Sequence, residues 1–202
     1  VAELRAENID VVVMNFDHKE VPTTVAEIEN DKLLLIDWDI HSNGVNNFVY
    51  QDFGKAFYKG LVDAVDLLKK YKAVQFIYPT FTNHPIETVK YFNKFCKKEN
   101  INHSVLTNPT EFEIKENHAY ISVSDRILGA FLEQCRTRKF EPGVDIGFLS
   151  YNETPMKKFI YKGISVISTD FKELGTKAAE FITNDTSMQC YIPTKLIIRE
   201  SL

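Results

Sequence analysis

Three places in the sequence set polar side chains directly after an apolar run. Asp52 follows FVYQ, Ser124 and Asp125 follow AYISV, and Asn152 and Glu153 follow DIGFLSY. Carboxylate, hydroxyl and carboxamide groups together offer the donors and acceptors that sugar hydroxyls require. In parallel-sheet folds the carboxyl ends of the strands face one edge, so groups far apart in sequence meet there on a single ligand. A plainer account competes at each position. Asp52 and Asp125 stand where a helix N-cap belongs, and SYNETP (150–155) reads equally as a turn in which Asn and Thr bond nearby backbone.

Other chemistry is less well supported. Asp37 and Asp39 are two carboxylates, but residues two apart at a strand end do not oppose each other across a substrate, so a solvated loop is the reading there. His18, His41, His84, His103 and His118 lack HxH or HExxH spacing, and Cys96, Cys135 and Cys190 lack CxxC spacing, so no metal site and no disulfide framework are expected. His84 lies in a loop after a strand and is within reach of a cleft, although a surface histidine is the better reading. No GxSxG, GxGxxG or P-loop pattern occurs, which removes several enzyme classes.

The elements that must carry these groups alternate. Apolar runs at 9–15 (IDVVVMN), 32–36 (KLLLI), 73–78 (AVQFIY), 101–106, 119–123, 144–149 and 164–168 are continuous rather than alternating, as strands covered on both faces are. Shorter strands are expected at 48–50 and 195–199. Helical spacing appears over 53–71 (Phe57, Leu61, Val65, Leu68), 86–99, 126–139 and 171–184. Residues 1–8 read as the last turns of a helix, with whatever preceded it absent. The pattern predicts an α/β fold with parallel sheets.

The chain of 202 residues has a net charge of -4, is 44 % hydrophobic and 26 % charged, which is ordinary for a soluble globular protein and unlike a phosphate-backbone grip. No apolar run approaches a membrane span and no leader opens the chain, so a soluble, cytoplasmic protein with no membrane partner is expected.

The stretch 119–155, followed by GISVISTDFKELGTKAAEFI (163–182) and KLIIRESL (195–202), resembles the effector-binding half of lactose-repressor (LacI/GalR) type regulators. The likeness extends back through LLLIDWDI (33–40) and VYQDFGKAF (49–57). It implies a two-lobed periplasmic-binding-protein-like (type I) fold that lacks its first strand-helix unit. The lobes would be 1–79 with 170–190, and 80–169 with 191–202, with crossings near 79–81, 168–171 and 191–193. It implies that a small sugar binds between the lobes, contacted by Asp52, Ser124, Asp125 and Asn152. The family's arginine after the first crossing has no counterpart, and His84 or Thr82 takes its place. The segment 107–117 is too short for the strand-helix unit expected there. The wording of DIGFLSYNETP and ISTDF is most similar to Bacteroidetes regulators that join a gluconate-repressor (GntR) class winged-helix head to such a sensor. L-fucose or a pentose is the implied effector, DNA is contacted only through a separate N-terminal domain, a homodimer is implied, and no cofactor is required. Two rivals share the pattern: a small α/β enzyme acting on a sugar or sugar phosphate with Asp52 or Asp125 as base, and a periplasmic sugar-binding receptor.

Overall fold

The computed structural model describes residues 11–14, 23, 25–37, 46–184 and 187–202. The helix expected at 1–8, and His18, Asp39 and His41, lie outside them. The chain divides into two compact units, 1–52 with 170–193 and 53–169 with 194–202.

In the first unit β1 (Val11–Met14), β2 (Leu33–Asp37), β3 (Phe48–Gln51) and β9 (Gln189–Ile192) pair in the order β1-β2-β3-β9, all parallel. The continuous apolar run Leu33–Ile36 is covered on both faces. Leu34, Ile36, Val49 and Ile192 pack under Leu174 and Phe181 of α5 (Phe171–Asn184), while Leu33, Leu35 and Tyr50 pack with Val25 on the other side. Asn47 closes this sheet across a long stretch of sequence. Its Nδ2 donates to the Asn30 carbonyl (2.8 Å) and its Oδ1 accepts from the Met188 N–H (2.9 Å).

The second unit holds six strands in the order β10-β8-β7-β6-β4-β5. These are β4 (Ala73–Ile77), β5 (His103–Leu106), β6 (His118–Ser122), β7 (Gly147–Tyr151), β8 (Ser165–Thr169) and β10 (Thr194–Ile197). All pairs are parallel except β8–β10, which is antiparallel. The period-2 alternation of the buried strands sorts their side chains to two faces. Tyr120, Phe148 and Ile77 meet Ile127, Leu128 and Phe131 of α4 (Asp125–Arg138). On the opposite face Phe76 meets Phe57 of α1 (Lys55–Asp63) and Phe92 of α3 (Glu87–Glu99), at ring separations of 5.9 and 5.3 Å.

This arrangement corrects two boundaries. The α1 region and β4, placed in the first lobe from sequence, belong with the second sheet, because β4 pairs with β5 and β6 and its apolar face is covered by α1 and α3. Gly60 of α1 leaves room for the Ile167 side chain of β8, which a Cβ there would meet at 2.9 Å. Conversely 191–193, placed in the second lobe, closes β9 in the first sheet. The helix expected over 53–71 is also interrupted: it breaks at Ala64 (φ -95, ψ 2) before the short α2 (Val65–Leu68).

The strand expected at 144–149 is displaced toward the C-terminus. Val144 and Asp145 both donate backbone N–H groups to the Glu141 carbonyl (3.1 and 2.9 Å), and Gly143 adopts φ +84, so these residues form a tight turn and Val144 is exposed. The strand therefore runs to Tyr151, and the polar elbow begins at Asn152.

Candidate functional site

Parallel pairing brings the ends of β4, β6 and β7 to one edge of the second unit. The loop after β4 carries Thr82 and His84. The Thr82 Oγ1 accepts the His84 N–H at 3.2 Å, the His84 carbonyl accepts the Tyr78 hydroxyl, and the loop is thereby closed on itself. The imidazole stands edge-on between two rings, Phe53 at 5.0 Å and Tyr151 at 4.7 Å. Its Nε2 is buried without a hydrogen-bond partner, and burial pushes the ring's pKa down from 6.5 to about 4. His84 is thus not the surface histidine that its loop position suggests; it is a neutral ring with one unused nitrogen.

At the end of β6, Ser122 donates its hydroxyl to the Ile77 carbonyl (2.9 Å) and accepts the Ser124 N–H (3.2 Å), which sets the entry into α4. Ser124 occupies the N-cap position in an extended conformation (φ -117, ψ 125), yet its side chain makes no capping bond. Asp125 is the first helical residue rather than the cap. Its Oδ1 lies 2.7 Å from the Lys157 ammonium, and the side chain is 58 % exposed, so the rest of the carboxylate faces solvent. A carboxylate in the first turn also complements the positive end of the helix.

The end of β7 separates the two first suspects. Asn152 takes the left-handed conformation (φ 59), which asparagine tolerates better than most residues. Its N–H donates to the Ile167 carbonyl (2.8 Å), its carbonyl accepts from Lys157 (2.6 Å), and its side-chain Oδ1 is buried without a partner. Glu153 is fully engaged: its N–H donates to the Ser168 Oγ (2.8 Å), one carboxylate oxygen accepts the Thr154 N–H (3.0 Å), and the other pairs with Arg199. Glu153 holds the C-terminal tail against the elbow through both of its carboxylate oxygens.

In the first unit, Asp52 follows β3. It stands two residues before Gly54, which holds the N-cap position of α1. At the end of β2, Asp37 adopts φ 81 and accepts a hydrogen bond from the Gln51 Nε2. Burial raises its carboxyl above the ordinary range, an effect that the Gln51 bond partly offsets. It is more enclosed than the solvated loop expected there.

The second unit thus links Phe53, His84, Tyr151, Asn152, Lys157, Asp125 and Ser124 through ring contacts, chain neighbours and hydrogen bonds. Lys157 escaped sequence reasoning because nothing in PMKKF distinguishes it from Lys158. Aromatic edges beside polar atoms without partners suit a ligand with an apolar ring face and hydroxyl groups. Among the described residues no group of three or more His, Cys, Asp or Glu is placed to hold a metal ion. The Cys96 and Cys135 thiols are buried, and burial pushes both up to about 12, far from thiolate chemistry at neutral pH. A separate groove of about 320 Å³ is lined by Gln75 of β4, Ser104 of β5, Glu111 and His118. No helix among the described residues is long and apolar enough to cross a membrane.

No family model matches the sequence, and no curated relative matches it. Solved structures do. A LacI family transcriptional regulator from Lactobacillus casei with bound glucose aligns with a TM-score of 0.76 at 11 % identity, covering 100 % of this chain and 82 % of that one. The trehalose repressor from Escherichia coli aligns with 0.72 at 15 %, covering 97 % and 80 %. A sugar-binding transcriptional regulator (LacI family) from Escherichia coli complexed with phosphate aligns with 0.73 at 10 %, covering 100 % and 80 %. At these identities the likeness establishes the fold.

Proposed function

We propose that this chain is the ligand-sensing part of a bacterial transcription regulator and that its effector is a small sugar. The observation that carries the reading is the edge at the ends of β4, β6 and β7. There, two buried polar atoms without partners, Asn152 Oδ1 and His84 Nε2, lie beside aromatic rings on a fold shared with sugar-responsive regulators. Buried polar atoms cost stability unless they are satisfied, and a sugar hydroxyl satisfies them. Ser124, Asp125, Asn152 and His84 are the binding residues of the second unit. Thr82 supports the loop and keeps its hydroxyl proton for a ligand oxygen, and Asp52, at the end of β3, is proposed as a further ligand residue. The effector acts by binding one conformation of the chain better than another. DNA is read by a separate domain of winged-helix type, and the regulator works as a homodimer on a two-fold operator.

A thermal-shift screen of the intact regulator against simple sugars, with L-fucose and L-arabinose included, tests the reading. A saturable, concentration-dependent rise in Tm for one sugar supports it. No rise with any sugar overturns it. Asp52→Ala, measured by titration calorimetry with that sugar, should weaken binding by at least about tenfold, the loss of one charged hydrogen bond. Unchanged affinity removes Asp52 from the site.

A further inference from the structure

Among the described residues one charged side chain is buried in the second unit, Lys157, 1 % exposed. An ammonium in such a position is costly unless it is paired and hydrogen-bonded. Lys157 has three N–H donors and three acceptors: the Tyr151 carbonyl at 3.0 Å, the Asn152 carbonyl at 2.6 Å and Asp125 Oδ1 at 2.7 Å. Its own backbone is fixed as well, with its N–H on the Thr154 carbonyl (3.1 Å) and its carbonyl on the Ile164 N–H (2.8 Å). The lysine therefore sets the spacing between Asn152 at the end of β7 and Asp125 at the start of α4, two residues that the sensor reading assigns to the ligand.

We propose that Lys157 is the positioning and charge-setting residue of this edge, and that through it the site takes an uncharged, polyhydroxylated sugar rather than its phosphate ester or uronic acid. The inference rests on the ligand-sensing reading above. Lys157 cancels Asp125 while spending every donor it has. Arg199 is likewise consumed, by Glu153 and by the Ile164 carbonyl at 2.7 Å. Arg126 lies out over the Phe81 ring, 4.6 Å away, and is exposed to solvent. What the edge presents is a serine hydroxyl, the Asn152 Oδ1, a neutral imidazole nitrogen and the outer oxygen of a compensated carboxylate. Together these groups donate and accept without offering an unspent positive charge, which matches sugar hydroxyls. A phosphate monoester or carboxylate ligand would bring a negative charge beside Asp125 with the Lys157 ammonium already spent on that carboxylate, whereas a neutral sugar adds no charge for the site to balance.

The test measures affinities of the intact regulator for matched sugars differing only in charge: D-glucose, D-glucosamine and D-glucuronate, the galacto series, and any sugar found in the screen with its 6-phosphate. Wild type should bind the neutral member at least about tenfold tighter than the anionic one, the size of one unit charge acting across a short, partly screened distance. Lys157→Met leaves Asp125 uncompensated, so the ratio of glucosamine to glucose affinity should rise about tenfold. Asp125→Asn leaves Lys157 uncompensated, so the ratio of glucuronate to glucose affinity should rise instead. In Asp125→Asn the amide oxygen can still accept from the Lys157 ammonium, and the Tm of each variant, measured alongside the affinities, shows whether it folds. A lysine that served only the fold would lower all affinities together and leave the ratios fixed. Sugars that bind wild type with unchanged ratios in both variants overturn the role of Lys157 alone, as does tighter wild-type binding of the anion. A wild type that binds none of the probes overturns the sensor reading, and this role with it.

Discussion

Acidification should weaken this fold in a way traceable to one residue. The His84 ring is held near a pKa of about 4, against 6.5 in the unfolded chain, because its surroundings desolvate the charged form. A folded pKa below the unfolded one means that the unfolded chain takes up the proton first as pH falls. The contribution is fully present above pH 6.5, is lost as pH falls from there toward about 4, and is flat below. The whole interval, about 2.5 units at about 1.4 kcal/mol each, amounts to about 3 kcal/mol, of which about 2 kcal/mol is already lost between about pH 7 and pH 5. His84→Phe keeps a planar ring against Phe53 and Tyr151 without the titration. Urea unfolding of both proteins at several pH values across that window gives the difference, since every other titrating group is common to the two. Wild type should lose about 2 kcal/mol more than the variant between about pH 7 and pH 5. Parallel curves would refute the reasoning, because the ring would then titrate in the folded state as it does in the unfolded one. An NMR titration of the His84 ring protons with a midpoint near 6.5 would refute it too.

Two further substitutions test the packing that holds the site. Phe131→Ala removes a fully buried ring that contacts Phe148 at 4.6 Å and Tyr120 at 6.0 Å; a loss of about 3–5 kcal/mol in urea unfolding is expected, and less than about 1 would mean the α4 face repacks freely. Gly143→Ala places a Cβ 1.6 Å from the Glu200 carbonyl oxygen at φ +84, so the turn before β7 must open, with a loss of at least about 1–3 kcal/mol and a lower Tm. An unchanged Tm would show that the C-terminal tail gives way at no cost.

The elements most legible in the sequence are those whose burial is uniform. KLLLI at 32–36 and ISVIS at 164–168 read as covered strands because both faces of each are filled, and the strands found there, Leu33–Asp37 and Ser165–Thr169, are shifted by one residue; the helix at 171–184 is found where its spacing placed it. β9 escaped because QCYI is short and half of it, Gln189 and Tyr191, is exposed, so it carries no continuous apolar run. The frame of β7 was misread because Val144 looks like a strand residue, and only the Glu141 turn shows that it is not. The first boundary was set too late because a helix and a strand in sequence do not reveal which sheet they cover. Of the candidate residues, those at strand ends were legible by position, but their hydrogen-bonding state was not. Asn152 and Glu153 are adjacent and similar in polarity, yet one is left with an unused oxygen and the other is consumed by Arg199, a partner 46 residues away.

The pairing of β8 with β10 bears on the route by which the chain folds. Thr169 and Thr194 stand opposite each other in that ladder, their hydroxyls 2.8 Å apart, and the chain between them, 170–193, supplies α5 and β9 to the first unit. Once the ladder has formed, the two ends of that excursion are already together, and the entropy of closing a loop around it has been spent. A contact such as Met188 to Asn47, 141 positions apart, then has to wait only for a short tether to find its sheet rather than for most of the chain to search. The second unit is therefore expected to form early and to act as the template from which the slow, non-local half of the first is completed.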